Sequence, residues 1–244
     1  GRHTRFTSDW SSDVCSSDLN EFYQLWLDET MTYSCGFFKN ENSTMKDASI
    51  EKLDRICRKL DIQPGDSILE IGSGWGSFAI HAAKNYGCHV TTTTISDAQY
   101  EMAQNRIQKA GLENEITLLK DDYRNLTGQF DKIVSIEMIE AVGHQYVPLY
   151  FQKVSSLLKK DGLFALQGIT YNDQNFDIYT GSVDFIKKYI FLGSCLISVS
   201  QVTEAMKKYT DLSLSHLEDI TLHYATTYHL INSMTRLFSS HVHL

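Results

Sequence analysis

The sequence predicts an α/β fold, a mostly parallel sheet with helices on both faces. Three observations carry this. From Thr44 onward, short β-branched or apolar runs alternate with stretches of helical periodicity. A glycine-rich turn links the first such run to a helix. The last run, Leu163 to Ile169, is almost continuously apolar, as in a strand buried on both faces. Strands alternating with helices of 10–15 residues (about the usual crossover length) make right-handed βαβ units.

The elements follow in order. Leu53, Ile56, Cys57 and Leu60 share one helical face, and Gln63-Pro64-Gly65 stops that helix. Ser67-Ile68-Leu69-Glu70-Ile71 reads as strand one. Gly76 to Asn85 opens a helix with Phe78, Ala79, Ala82 and Ala83 inward. His89 to Thr94 is β-branched and reads as strand two. Ser96-Asp97-Ala98-Gln99 has the pattern of a capping box, and the helix it opens ends at Gly111. Ile116 to Leu119 and Lys132 to Ile136 read as strands three and four. Gln145 to Leu158 is helical, with Val147, Tyr150, Val154, Leu157 and Leu158 on one face. Leu163 to Ile169 is strand five, and a sixth strand is expected around Leu212 to Ile220. The residues after Tyr224 read as helix.

With 244 residues, 42% hydrophobic and 21% charged, the chain has a globular composition and length enough for a full core. Its net charge of −8 argues against a nonspecific nucleic-acid binder, which needs a basic surface. Cysteines 15, 35, 57, 88 and 195 are scattered and form no CxxC pair. Neither a disulfide framework nor a structural metal site is expected, and a reducing cytoplasm fits best. No apolar run reaches the roughly 18–20 residues of a membrane span, and no secretion signal is evident. Residues 1–19 are set apart. Ser11-Ser12-Asp13 recurs as Ser16-Ser17-Asp18 in a segment too polar to fold, and it looks like a translated sequencing adapter. Residues 20–244 are the expected single domain.

Glu70-Ile71-Gly72-Ser73-Gly74-Trp75-Gly76 follows strand one. In an open α/β sheet a ligand sits at the carboxyl ends of the strands, so this turn marks a site. Gly72 and Gly74 let the backbone approach that ligand. The run lacks the third glycine of the dinucleotide fingerprint and the Gly-Lys-Ser/Thr of a phosphate loop. Glu70 would repel a pyrophosphate and suits a ligand bearing an amine or sulfonium. After strand three, Asp122 offers an acceptor for an adenine amino group and Tyr123 a ring to stack on it. That set describes S-adenosylmethionine better than a nicotinamide dinucleotide. A solvated acid and a half-buried loop aromatic are the plainer reading of the last pair.

Residues 31–224 resemble the cyclopropane-fatty-acyl-phospholipid synthase family, which includes the mycolic acid cyclopropane synthases. The resemblance is carried by Tyr33-Ser34-Cys35-Gly36-Phe37-Phe38, the glycine turn, and Thr94-Ile95-Ser96-Asp97-Ala98-Gln99. Asp122-Tyr123-Arg124, Val134 to Gly143 with its Glu-x-x-Glu-Ala-Val-Gly, Asp184 to Phe191, and His223-Tyr224 complete it.

The resemblance implies a Rossmann-like class I methyltransferase fold, here without its C-terminal seventh strand because the matching region ends near Tyr224. It implies an S-adenosylmethionine site lined by Tyr33, Ser34, Glu70, Gly72, Gly74, Thr94, Gln99, Asp122 and Tyr123. It also implies methylene transfer to the cis double bond of an unsaturated phospholipid acyl chain, giving a cyclopropane fatty acid. The base would be a bound bicarbonate, held by Cys35, the Ile136 backbone, Glu140, Tyr224 and the position of Gln167. There the family has a histidine, so Gln167 is a departure: it hydrogen-bonds but carries no charge.

The implied enzyme is cytoplasmic and peripheral to the inner membrane face. The apolar run Phe185 to Leu196 beside Lys187-Lys188 reads either as a helix touching lipid headgroups or as a core helix with a solvated lysine pair. A homodimer is left open. Two other readings stand beside it: a methyltransferase acting on a small amine, which Gln167 suits, and an inactive fragment.

Overall fold

The computed structural model describes residues 20–191 and 193–239. The segment 1–19 and the last five residues, on which part of the sequence reading falls, lie outside the described residues. The elements are α1 (Asn20–Gln24), α2 (Met45–Lys59), β1 (Ser67–Ile71), α3 (Ser77–Tyr86), β2 (His89–Thr94), α4 (Asp97–Ala110) and β3 (Ile116–Lys120). They continue with β4 (Phe130–Ile136), α5 (Val147–Leu157), β5 (Leu158–Gln167), α6 (Phe176–Thr180), α7 (Val199–Tyr209) and α8 (Thr221–Ser239).

The five strands form one sheet in the order β3-β2-β1-β4-β5, and every pairing is parallel. The order reverses at β1, so the crevice of the fold opens between the carboxyl ends of β1 and β4. Period-two alternation in β1 sends Ile68 and Leu69 to opposite faces, and each anchors its own core. Ile68 packs with Leu53, Ile56, Leu60, Phe78, Ala82 and Ile107 from α2, α3 and α4. Leu69 packs with Tyr150, Phe151, Val154 and Leu157 of α5 and Ala205 of α7. The inward residues expected for α2, α3 and α5 are all buried.

The capping chemistry explains most helix ends. Thr44 and Asp47 form a reciprocal capping box on α2. Ser96 accepts from the Gln99 N–H at 3.2 Å, and Gly111 closes α4 in the left-handed conformation at φ 67°. The expected second half of the α4 box is absent: the Gln99 side-chain oxygen accepts from the Thr94 hydroxyl at 2.9 Å instead.

Three expectations are corrected. Residues 210–220 form no strand. Glu218 is drawn to α2 by Arg55 (2.8 Å) and by Lys59, which carries this segment across a helix and away from the edge of β5. The lipid-facing helix shrinks to a single π turn, Ile186–Ile190, with Gly193 at φ 78° and the polar Ser194 close behind it. The β5 ladder starts earlier than expected, at Leu158, with an irregularity opposite Phe130 to Lys132. No further strand follows β5 among the described residues, and no helix there is long and apolar enough to cross a membrane.

Candidate active site

The glycine turn lies where the sequence predicts it. Gly72 sits at φ 97° and Gly74 at φ 49°, backbone that favours glycine. A Cβ on Gly72 would come within 2.9 Å of Met138 Cγ, which follows β4. A Cβ on Gly74 would meet nothing within 4 Å. The first glycine therefore serves close packing between the β1 and β4 ends, and the second faces open space at the mouth of the crevice. That open cradle fits a bound S-adenosylmethionine.

Beneath the turn, Glu70 is buried on β1 and accepts from the Thr92 hydroxyl at 2.6 Å. Burial pushes its carboxyl up to about 8, against the pull of the Thr92 bond and of Lys52. Lys52 is itself buried on α2 and donates to Ser34 Oγ at 2.5 Å. Desolvation brings its ammonium down to about 8, although Glu137, Cys35, Asp28 and Glu70 all draw it up. Lys52 thus anchors the Tyr-Ser-Cys segment to α2 through Ser34.

Sequence reasoning passed over Lys52 because a lysine between Glu51 and Leu53 reads as solvated helix surface. Tyr33 is partly exposed and packs its ring edge-on against Trp75 at 5.4 Å, beside the turn. Thr94 and Gln99 are buried and bonded to each other at the end of β2. Asp122 is gripped by Arg124 through Nε at 2.9 and 3.0 Å. Tyr123 packs edge-on against Tyr150 at 5.4 Å.

The second group converges on the ends of β4 and β5. Ile136 and Gln167 are register partners there. Cys35 donates its backbone N–H to Glu137 Oε1 at 2.9 Å, and Gln167 Nε2 donates to the same oxygen at 2.9 Å. Gln167 Nε2 also reaches the Cys35 carbonyl at 3.3 Å. The Cys35 thiol is buried and raised to about 11 by desolvation and by Glu137, which leaves it a neutral thiol.

Glu140 accepts from the Ile169 N–H at 2.5 Å through Oε1, while its Oε2 is buried with no hydrogen-bond partner. Burial lifts this carboxyl to about 7, well above the ordinary carboxylate range. Tyr224 of α8 is half-exposed, and burial, followed by the nearby acidic groups of which Glu137 weighs most, raises its hydroxyl to about 12. Cys35, Ile136 and Gln167 are joined here by contact and register, and Glu140 and Tyr224 lie near enough to feel the Glu137 charge.

Two contacts hold α8 over the site. Thr227 Oγ1 accepts from the Gly36 N–H at 3.1 Å, and His223 Nδ1 accepts from the Phe38 N–H at 3.2 Å. Glu137 is the residue that the sequence reading quoted without giving it a role. Its only local signal is an acid at the end of an apolar strand, and its importance comes from the three segments that meet on it.

The family profile "Mycolic acid cyclopropane synthetase" matches residues 10–238. The chain belongs to that family. It is similar, at 37% identity over 86% of its length, to a probable fatty acid methyltransferase of Pseudomonas putida, covering 54% of that protein. At 40% identity over 76% of its length it is similar to the cyclopropane-fatty-acyl-phospholipid synthase of Escherichia coli strain K12, covering 46% of it. The chain thus spans about half the length of these curated relatives. Its fold superposes on the cyclopropane synthase MmaA2 from Mycobacterium tuberculosis with a TM-score of 0.84 and 28% identity, covering 92% of this chain and 82% of that one. The five-stranded parallel sheet is accordingly the Rossmann-like sheet of the methyltransferase fold, as the resemblance implied.

Proposed function

We propose that this chain is an S-adenosylmethionine-dependent methyltransferase that adds a methyl-derived carbon to the cis double bond of an unsaturated phospholipid acyl chain, giving a cyclopropane fatty acid. The observation that carries the reading is the convergence at one sheet end: an open glycine cradle beside a group of carboxyl, phenol and amide side chains from four segments. Bound S-adenosylmethionine supplies an activated methyl on a cationic sulfonium.

The chain's residues do the rest. Gly74 leaves room for the cofactor, and the buried Glu70 and Lys52 fix the segment that carries Tyr33 and Ser34. An alkene is a weak nucleophile, so positive charge develops on the acyl carbons and water must be kept out. α8, latched by Thr227 and His223, supplies that cover. The ring of Tyr224 offers a face to the developing cation. Glu140, with a buried unpaired oxygen, can hold or give up a proton near neutral pH.

A lipid tail gains little on moving from a bilayer into an apolar pocket, since the roughly 0.8 kcal/mol per CH₂ applies to transfer from water. The enzyme must therefore sit on the membrane, and one exposed patch suits that task. Ile178, Val183, Phe185, Ile186, Tyr189 and Phe191 are all exposed in one stretch, with Lys188 over the Tyr189 ring at 5.1 Å. This supports a peripheral position on an anionic, cytoplasmic bilayer face.

A second reading, methyl transfer to a small amine, is favoured by Glu137, a half-buried carboxylate able to pair with a cationic nitrogen. Release of S-adenosylhomocysteine in the presence of vesicles decides. Unsaturated phospholipid should support it and saturated phospholipid should not; release that needs an added amine and ignores the vesicles would favour the second reading.

A further inference from the structure

Glu137 stands at the junction of the two halves of the site, and the bicarbonate that the resemblance implies does not fit beside it. It follows β4 directly at φ 47°, a left-handed conformation that costs a non-glycine residue about 1–2 kcal/mol. Such strain persists where the surroundings over-determine it. Here the Glu137 N–H donates to the Gln167 carbonyl at 2.8 Å, and Oε1 accepts from the Cys35 N–H and from Gln167 Nε2, both at 2.9 Å. Two of the groups assigned to a bound anion, Cys35 and Gln167, are thus already committed to a carboxylate that the chain carries itself.

Of the other three, Glu140 and Tyr224 point the same way. Glu140 and Tyr224 both feel the Glu137 charge, which helps keep each in its protonated form. A further free anion would add a like charge to this group while finding the Cys35 N–H and the Gln167 amide already taken. Gln167, which carries no positive charge, does nothing to offset that.

We propose that the Glu137 carboxylate is the built-in base of this site and takes the place of bicarbonate. This rests on the acyl-chain reading above. In the step assigned to it, Glu137 accepts one proton from the methyl newly bonded to one of the two alkene carbons. The electron pair of that C–H bond forms the third bond of the ring and cancels the positive charge on the neighbouring acyl carbon. Glu137 becomes a neutral carboxyl and returns its proton to water after product leaves. The positive charge that enters with the sulfonium leaves as that proton, so charge and atoms balance. Met138, the next residue, lies against Gly72, so the backbone that carries Glu137 runs beside the glycine turn.

The test combines a binding arm and a turnover arm in buffer sparged free of carbon dioxide. In calorimetry on the S-adenosylhomocysteine complex, added bicarbonate should give no heat with the native chain and with Glu137→Gln. It should bind Glu137→Gly, whose glycine suits φ 47° and leaves the donors vacant. In turnover on unsaturated vesicles, the native rate should be the same with and without bicarbonate. Glu137→Gln and Glu137→Gly should each lose about 100-fold or more, the size of a lost general base. Formate or bicarbonate should restore Glu137→Gly saturably and leave Glu137→Gln unchanged.

Bicarbonate uptake by the native chain, a native rate that falls when bicarbonate is removed, or a Glu137→Gln rate equal to native would overturn the proposal. A native chain that methylates no vesicle lipid would sink the acyl-chain reading, and the calorimetric arm would still decide who holds the anion site.

Discussion

Gly72 and Gly74 lie two residues apart in one turn, yet the structure separates what each does. At Gly72, alanine is strained at φ 97° and its Cβ meets Met138 Cγ at 2.9 Å and Met138 Cβ at 3.0 Å. The backbone conformation costs about 1–3 kcal/mol. Overpacking against the root of a side chain, which cannot swing away, adds about 1 kcal/mol. Gly72→Ala should therefore lose about 2–4 kcal/mol of stability, or roughly 5–15 °C in Tm for a domain of this size.

At Gly74, φ 49° is ordinary left-handed backbone and the new methyl meets no protein atom. Gly74→Ala should lose only about 1–2 kcal/mol of stability. Its methyl would stand in the cradle, however, and S-adenosylhomocysteine should bind at least about tenfold more weakly, a loss of about 1.4 kcal/mol. Urea melts and calorimetric titration on the same samples measure both quantities. Gly74→Ala binding the ligand as tightly as the native chain would refute the assignment of this turn as the cofactor cradle.

Protonation gives a second prediction. Glu140 and Glu70 have carboxyls raised from 4.5 to about 7 and about 8, so the folded state holds their protons more tightly than the unfolded chain. Their contribution to stability is full below about 4.5 and falls as pH rises through 7 to 8. His81, lowered by burial, opposes them near its ordinary value of 6.5, so the comparison is made against a variant. Glu140→Gln should gain stability relative to native between pH 5 and 8, by at most about 3 kcal/mol; a difference that stays flat with pH would contradict the burial argument. Thr227→Val removes the acceptor of the buried Gly36 N–H and should cost about 1–3 kcal/mol in denaturant melts, with a loosened α8 seen as faster amide exchange at Gly36. Phe185→Asp, on the exposed patch, should weaken flotation with anionic vesicles while leaving S-adenosylhomocysteine binding unchanged.

Much of this molecule is legible in its residues. β1 and β2 appear with the expected bounds because β-branched and apolar runs flanked by turns leave little choice. The buried faces of α2, α3 and α5 follow from their spacing alone. What was missed depended on distant partners. The run 210–220 has apolar alternation enough for a strand, but Leu214 and Leu217 stay exposed because the segment is pinned to α2 through Glu218. The apolar stretch after Phe185 stays exposed among the described residues and turns only once. Glu137 and Lys52 carry much of the site's charge, yet one looks like a strand-end acid and the other like a helix-surface lysine. Burial and convergence, properties of the folded chain, give them their roles.

The central claim is transfer of a one-carbon unit from S-adenosylmethionine to an acyl double bond. Incubating the chain with methyl-labelled S-adenosylmethionine and vesicles of cis-unsaturated phospholipid, then analysing the acyl chains by mass spectrometry and NMR, tests it most directly. The acyl chains should become heavier by one labelled CH₂, lose their olefinic protons and gain cyclopropane protons. Unaltered acyl chains, from a preparation shown to bind S-adenosylhomocysteine, would contradict it.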